Sequence, residues 1–159
     1  MGGVLCLMER RPCITPEMEF AVQHIQDLPV VAKALLESLG TSRVVAFDGS
    51  MGAGKTTFIQ TVLRAMGIEE TDGSPTYSLV NAYQSVFYGQ VFHFDLYRLR
   101  SEEEAYDIGI EEMIYGDAYC FIEWPDKILH LLPDDTVFVK IRLNEDLNRL
   151  ISWELPETD

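Results

Sequence analysis

The chain has 159 residues, of which 47% are hydrophobic, and this size and composition predict one folded domain and exclude a disordered chain. The formal net charge of −14 argues against autonomous binding of nucleic acid, because that binding depends on Lys and Arg side chains that neutralise phosphates. No apolar run approaches the roughly 20 residues of a membrane-spanning helix, and the 3 cysteines have no metal-ligand spacing. We therefore expect reduced thiols, a cytoplasmic location and no membrane association.

The beginning of the chain differs from the rest. Its short apolar run is followed, not preceded, by arginines, which is the wrong order for a signal peptide. We expect residues 1–17 to be a flexible N-terminal extension and residues 18–159 to form a single domain. In that domain, residues 19–25 predict an edge strand, and Asp27 is expected to cap a helix that ends at Gly40.

A glycine-rich stretch over residues 49–56 matches the G-x-x-x-x-G-K-[ST] pattern of a phosphate-binding loop. The apolar run at 43–48 predicts a buried strand before it, and the apolar spacing over 57–66 predicts a helix after it. Glycines let backbone N–H groups approach phosphate oxygens, and the start of the helix adds its positive dipole end. Lys55 is expected to reach the β- and γ-phosphates, and the Thr56 hydroxyl to ligate Mg²⁺. The expected nucleotide contacts are Met51, Gly52, Ala53, Gly54, Lys55, Thr56 and Thr57.

A turn-rich loop over residues 72–77 leads into a predicted strand at 78–83. Loops at this place in phosphate-loop proteins often carry a hydroxyl group that senses the γ-phosphate and the metal. Either Ser74 or Thr76 fits that role, and an ordinary turn in which Pro75 fixes the backbone explains the composition equally well.

Two further apolar strands are predicted to end in a carboxylate. The strand over residues 91–95 ends at Asp95, and the strand over residues 118–123 ends at Glu123. An acid at the carboxyl end of such a strand lies beside the phosphate loop in parallel α/β sheets, where it holds Mg²⁺ or orients water. Spacing alone does not separate these two roles. His93, in the first of the strands, is interpreted as a core or edge histidine and not as a ligand.

The other segments complete an alternating α/β pattern. Residues 101–104 form a capping-box sequence that predicts an acidic helix, which Gly109 interrupts. Residues 126–132 predict a short helix, and the runs at 136–143 and 150–155 predict a β-hairpin.

Four motifs together resemble the TsaE family, formerly YjeE, the ATPases of bacterial tRNA threonylcarbamoyladenosine synthesis. The matching motifs, in the order of the family, are residues 52–57, 74–80, 93–98 and 123–125, and the similarity extends over about 19–155. The S-P-T-[FY], H-x-D-x-Y-R and E-W motifs are far more specific than a phosphate loop alone. The chain departs from the family at Ser50-Met51, where Asp-Leu is common, and at Leu28-Pro29-Val30, where the family often has a Thr.

The resemblance implies an α/β fold of the P-loop NTPase type, with a central parallel sheet, antiparallel strands on its flanks and helices on both faces. It also implies a weak Mg²⁺-dependent ATPase that binds ATP and ADP. The expected partners are TsaD and TsaB, which modify adenosine 37 of ANN-decoding tRNAs, so that tRNA is contacted only through partners. By the same match, Thr56 and Glu123 ligate Mg²⁺, and Asp95 is the Walker B acid. The expected catalytic residues are Lys55, Thr76, Asp95 and Glu123.

Three other functions are compatible with a phosphate loop. A nucleotide-gated interaction module would bind ATP without physiological turnover. A small-molecule kinase usually closes a cationic lid over the transferred phosphate, and the chain has no arginine-rich segment of that kind. A GTPase is disfavoured because the N-K-x-D guanine motif is absent from the sequence.

Overall fold

A seven-stranded sheet forms the centre of the computed structural model, which describes residues 16–76 and 78–155. The predicted N-terminal extension lies outside these residues except for its last two positions. The strands are β1 (Glu17–Val22), β2 (Val44–Asp48), β3 (Val80–Ser85), β4 (Gly89–Asp95), β5 (Tyr119–Glu123), β6 (Val137–Leu143) and β7 (Arg149–Glu154). Their spatial order is β1-β7-β6-β2-β5-β4-β3. The central strands β6, β2, β5 and β4 are parallel, whereas β1, β7 and β3 pair antiparallel on the flanks, which confirms the predicted sheet.

Helices cover both faces of this sheet, as predicted. They are α1 (Leu28–Ser38), α2 (Lys55–Ala65), α3 (Glu102–Asp107) and α4 (Ile110–Ile114), together with 3₁₀ turns at Ile25–Asp27 and Pro125–Leu131. Side chains alternate along a strand, so β2 contributes Val45 and Phe47 to the core under α1 and α2. Val44 and Ala46 point the other way, into a second core with α3 and α4. Residues of β2 are therefore buried on both faces, which explains the continuous apolar run in its sequence.

Local differences from the sequence predictions concern helix and strand starts. Asp27 is the N-cap residue of α1, as predicted, but its side chain makes no hydrogen bond to the helix: its carboxylate accepts a hydrogen bond from the backbone N–H of His24, at 3.1 Å. A 3₁₀ turn precedes α1, and Asp27 is the last residue of that turn. The backbone of Asp27 is therefore already helical. The predicted helix over 126–132 is a 3₁₀ segment with a kink at Ile128, and strand β3 begins at Val80, two residues later than predicted.

The topology brings several polar residues to one edge of the sheet. The phosphate loop connects the carboxyl end of β2 to the start of α2. On one side, the ends of β5 and β4 lie next to each other, because Glu123 pairs in register with Asp95. On the other side, Arg149 begins the antiparallel strand β7 opposite Leu143, the last residue of β6. Within residues 16–76 and 78–155, no helix has the length and apolarity needed to span a membrane.

Candidate nucleotide-binding site

The phosphate loop has the backbone that its sequence predicts. Gly54 takes a left-handed conformation with φ of 102°, a value that side-chain-bearing residues rarely adopt, and α2 begins at the next residue. Gly49 is needed for a different reason, because a Cβ atom there would lie 3.0 Å from the carbonyl oxygen of Ile141 on β6. The loop closes on itself through the Ala53 N–H, which donates to the Ser50 carbonyl at 3.0 Å.

An open pocket of about 390 Å³ lies over this loop. Its lining includes every residue that the sequence predicts to contact a nucleotide, from Met51 to Thr57, and both strand-end carboxylates, Asp95 and Glu123. Thr76 does not line it: the residue is exposed, and its carbonyl accepts a hydrogen bond from Arg98 at 3.3 Å. The structure therefore gathers most of the predicted site, while the catalytic role of Thr76 stays a prediction without a place in the pocket.

Lys55 is a buried ammonium group at the floor of the pocket, with 5% of its surface exposed. Its Nζ donates to the carbonyl of Gly49 and, at 3.3 Å, to that of Ser50. The same Nζ lies 3.9 Å from the centre of the Trp124 ring, within cation–π range. Burial lowers the pKa of Lys55, and the negative field of Glu123 opposes this shift. The side chain is thus held by weak neutral partners that a phosphate group would replace favourably.

Glu123 receives hydrogen bonds from three directions. The Thr56 hydroxyl donates to its Oε1 at 2.8 Å, the Ser74 hydroxyl reaches its Oε2 at 3.1 Å, and His93 Nε2 lies 2.9 Å from Oε2. Burial alone would raise the pKa of the Glu123 carboxyl. The hydrogen bonds from His93, Thr56 and Ser74 outweigh burial and hold this pKa below its usual range. Glu123 is therefore a preformed carboxylate next to the Thr56 hydroxyl.

Asp95 is joined to the same cluster through Ser74. The Ser74 hydroxyl donates to Asp95 Oδ2 and also lies within reach of Glu123, so one proton serves two carboxylates. The other oxygen of Asp95 accepts the backbone N–H of Tyr97 at 3.1 Å. The sequence leaves Ser74 and Thr76 as two candidate hydroxyl groups. Of these, Ser74 lines the pocket and contacts the acids, and Thr76 does not line it.

His93 is fully buried in β4, in agreement with its interpretation as a core histidine, but it also bonds Glu123. Because the Glu123 carboxylate can only accept, the proton between them lies on Nε2. The other ring nitrogen, Nδ1, has no hydrogen-bond partner within the described residues. The alternation of side chains in β4 places His93 and Asp95 on one face, but the contact with Glu123 also depends on the pairing of β4 with β5, in which Asp95 lies opposite Glu123.

Trp124 stands at a strained position directly after Glu123. Its φ of 57° and ψ of 56° are left-handed, a conformation that a bulky residue adopts only when its surroundings enforce it. The ring packs against Tyr97 at a centroid distance of 5.1 Å and covers Lys55. The indole therefore connects the phosphate loop at Lys55 to the segment that follows Asp95.

Arg149 completes the pocket from the opposite side. Its Nε donates to the carbonyl of Ala53, inside the phosphate loop, at 2.8 Å, although 96 residues separate the two in sequence. No motif in the sequence marked this arginine, because the hairpin of β6 and β7 is what carries it to the loop.

The donor set suits a magnesium ion that a nucleotide brings with it. Mg²⁺ prefers oxygen ligands and usually binds through one or two carboxylates plus substrate phosphates. The ionised Glu123 and the Thr56 hydroxyl supply such oxygens on one wall of the pocket. Among the residues that the structure describes, no group of three or more His, Cys, Asp or Glu side chains is arranged to hold a metal without help. These side chains therefore fit a metal held jointly with phosphate and not a resident metal centre.

Comparison with known proteins agrees with the sequence motifs. The family model described as "Threonylcarbamoyl adenosine biosynthesis protein TsaE" matches residues 22–151. A tRNA threonylcarbamoyladenosine biosynthesis protein TsaE from Treponema pallidum is 39% identical over 111 residues, which cover 69% of this chain and 79% of that protein. The protein of the same description from Bacillus subtilis is 27% identical over 137 residues, covering 86% of this chain and 85% of its own length.

A solved structure shows the same fold. The crystal structure of YdiB from Bacillus subtilis superposes with a TM-score of 0.70 at 22% identity, over 89% of this chain and 87% of that one. Since the family model spans 22–151 and relatives reach 39% identity over most of their length, the chain belongs to the TsaE family, whose members take part in tRNA threonylcarbamoyladenosine biosynthesis.

Proposed function

We propose that this chain binds ATP and ADP with Mg²⁺ and hydrolyses ATP slowly. In this proposal residues 18–159 act as a single ATPase domain, and residues 1–17 are an extension of it. The observation that carries the proposal is the position of Thr56, the second residue of the helix that follows the phosphate loop, whose hydroxyl donates a hydrogen bond to the ionised Glu123. A phosphate loop whose own Thr contacts a strand-end carboxylate has the two protein groups that Mg-nucleotide binding needs.

The roles of the residues follow from their positions. Backbone N–H groups from the loop and the start of α2 bind the phosphates, and Lys55 exchanges its bonds to the Gly49 and Ser50 carbonyls for phosphate oxygens. Thr56 and Glu123 would hold Mg²⁺, which would neutralise charge on the phosphates. Asp95 orients the attacking water, and Ser74 links Asp95 to Glu123.

The same site offers a means of reporting the nucleotide state. Ser74 contacts both acids, and two residues later the Thr76 carbonyl is held by Arg98 from the segment that follows β4. A change at the acids would therefore move the 74–76 loop at the surface of the protein. We propose that this loop, Thr76 included, transmits the ATP state to TsaD and TsaB, in the cytoplasm, during modification of adenosine 37 in ANN-decoding tRNAs.

A reconstituted reaction tests this function. Purified TsaD and TsaB are assayed for threonylcarbamoyl transfer to tRNA with and without this chain and ATP, while ATP hydrolysis is followed in parallel. We expect transfer to require the chain and ATP, and hydrolysis to rise when the partners are added. Lys55→Ala is expected to remove both, whereas Lys33→Ala, at an exposed position of α1, serves as the matched control.

Two results would contradict the proposal in different ways. Undiminished threonylcarbamoyl transfer in the absence of the chain would show that the chain is not required for the modification. Nucleotide-dependent co-elution with the partners, without any hydrolysis, would favour an interaction module that does not turn over.

The tRNA contact is proposed to be indirect, because a net charge of −14 opposes binding to a polyanion. In an anisotropy titration the isolated chain is expected to show no submicromolar affinity for tRNA at physiological salt. Tight binding that weakens steeply with added salt would show that the charge argument is wrong.

A further inference from the structure

Arg149 is a charged residue of the pocket to which the roles proposed above assign no function. It begins β7, is half-buried, and lines the pocket together with the phosphate loop. Among the described residues that line this pocket, Lys55 and Arg149 are the two cations. In a chain that carries only 12 Lys and Arg against 26 acids, a second cation held at a phosphate loop points to an anionic ligand.

Only one of the three nitrogens of the Arg149 guanidinium makes a hydrogen bond within the described residues. Its Nε donates to the Ala53 carbonyl at 2.8 Å, whereas its two terminal nitrogens have no hydrogen bond or ion pair within the described residues. Arginine has five N–H donors in a planar fork, so one edge can hold the loop while the other binds a second oxygen. Arg142, on β6, is used differently, because both of its terminal nitrogens are bound, with Asp48 among their partners.

The loop makes room for this contact. A Cβ atom on Gly54 would lie 3.0 Å from Arg149 Nε, so the glycine at this position admits the guanidinium as well as the left-handed backbone. The arginine thus lies directly beside the residue that precedes the start of α2, where backbone N–H groups are available to phosphate.

The side of the phosphate loop on which Arg149 lies indicates which phosphate of a bound nucleotide would be near it. In the sheet order, β5 and β4 with Glu123 and Asp95 lie on one side of β2, and β6 and β7 with Arg149 lie on the other. The proposed metal site at Thr56 and Glu123 places the β- and γ-phosphates toward the acids. The phosphate next to the nucleoside then lies toward β7.

We propose that Arg149 binds the α-phosphate of the nucleotide with its terminal N–H groups while its Nε holds the Ala53 carbonyl. This inference rests on the proposed nucleotide-binding function and adds to it a residue outside all four of the motifs that resemble the family. Because ATP and ADP share the α-phosphate, Arg149 should contribute equally to the binding of both, unlike a group that contacts the γ-phosphate.

Calorimetric titrations with ATP and with ADP, in the presence of Mg²⁺, test the proposal on the full chain. Arg149→Gln is expected to weaken both nucleotides by the same factor, about tenfold to a hundredfold, as for the loss of a charge-assisted hydrogen bond. Arg149→Lys keeps the charge and is expected to recover most of that loss. Lys140→Gln, an exposed position on β6, removes the same charge away from the pocket and should bind as wild type does.

Each other outcome counts against the proposal. Equal losses in Arg149→Lys and Arg149→Gln would mean that the residue acts only by holding the loop through Ala53, and a loss confined to ATP would place it at the γ-phosphate. Unchanged affinity in Arg149→Gln, with wild type binding both nucleotides, overturns this inference alone. Failure of the wild type to bind either nucleotide overturns the proposed function and this inference with it. If Arg149→Gln does not fold in a thermal-unfolding control, Arg149→Met, which keeps the aliphatic length, replaces it with the same expected loss.

Discussion

The two sides of the phosphate loop differ in charge, burial and degree of prior organisation. On the side of β4 and β5, Glu123 is 3% exposed and receives hydrogen bonds from side chains that already surround it. On the side of β7, Arg149 is half-buried and uses one of its donors on the loop. The acidic side is thus a preformed, buried cluster, while the basic side is a single cation with free donors.

This difference implies opposite requirements for a bound nucleotide. Phosphate oxygens repel two nearby carboxylates, so the acidic side can accept the β- and γ-phosphates only with a cation between them. Ser74 cannot replace that cation, because its single proton is shared between Asp95 and Glu123. The basic side attracts phosphate directly. We therefore expect Mg²⁺ to matter for the acidic side and not for the contact at Arg149.

The largest effect is expected at the residue that both sides share. Lys55→Ala removes the ammonium group that we propose binds the phosphates, and it should weaken ATP and ADP binding by about a hundredfold or more. The fold should persist, because the hydrogen bonds that are lost join Lys55 only to carbonyls of its own loop, those of Gly49 and Ser50. Calorimetry on Lys55→Ala, with Lys33→Ala as control, measures this, and unchanged affinity would rule out the phosphate-loop assignment.

Asp95→Asn should separate hydrolysis from binding on the acidic side. Asp95 shares Ser74 with Glu123, whereas the Thr56 hydroxyl donates to Glu123, so we expect Asp95 to act on water more than on the metal. The rate of ATP hydrolysis is expected to fall by about a hundredfold, the scale of a lost general base, while the ATP dissociation constant changes severalfold at most. A phosphate-release assay and a titration on the same preparation check this. An equal loss in both would instead assign Asp95 to direct metal binding.

His93→Phe tests whether the acidic side is built into the folded state. The phenylalanine fits a buried position but leaves Glu123 without its histidine bond, so unfolding free energy should fall by about 1–3 kcal/mol. His93→Gln keeps a donor and should lose less. Arg149→Gln, on the more exposed side, should lose less than His93→Phe. Urea denaturation of the three variants without nucleotide measures the order, and a larger loss for Arg149→Gln would reverse the comparison.

The sequence predicts the acidic side far better than the basic side. Asp95 and Glu123 each end an apolar strand, and parallel strands next to a phosphate loop bring their carboxyl ends together, which the Asp95–Glu123 register confirms. A carboxylate at the end of a parallel strand can therefore be assigned to this site from the local sequence pattern. The position of Arg149 cannot be predicted in this way, because only the antiparallel hairpin of β6 and β7, folded beside β2, brings Arg149 to Ala53.

Smaller features were unpredictable for other physical reasons. Ser74 and Thr76 are equivalent in a turn-rich sequence, and only the path of the loop turns Ser74 toward the acids and leaves the Thr76 carbonyl to Arg98. Asp27 has the sequence position of a helix cap, but the preceding 3₁₀ turn uses its carboxylate on His24 instead. In both cases the sequence indicates a hydrogen-bonding group, and the tertiary path decides its partner.

Trp124 provides a direct reading of the acidic side, because it follows Glu123 and its ring lies 3.9 Å from Lys55 Nζ. The other of the 2 tryptophans, Trp153, is buried in β7 and donates to Ser38 at 2.9 Å, so it is expected to contribute a constant background. The Trp153→Phe variant, provided that it folds, removes this fluorescence background.

The measurement that tests the account most directly is a fluorescence titration with ATP, with and without Mg²⁺, on wild type and Glu123→Gln. Glu123→Gln keeps the size of the side chain and removes its charge. We expect wild type to bind ATP much more tightly with Mg²⁺, and Glu123→Gln to lose most of this Mg²⁺ dependence while still binding ATP. If Glu123→Gln keeps the full Mg²⁺ dependence and Asp95→Asn loses it, the roles of the two carboxylates are reversed. If neither variant changes it, the acidic side is not the metal site.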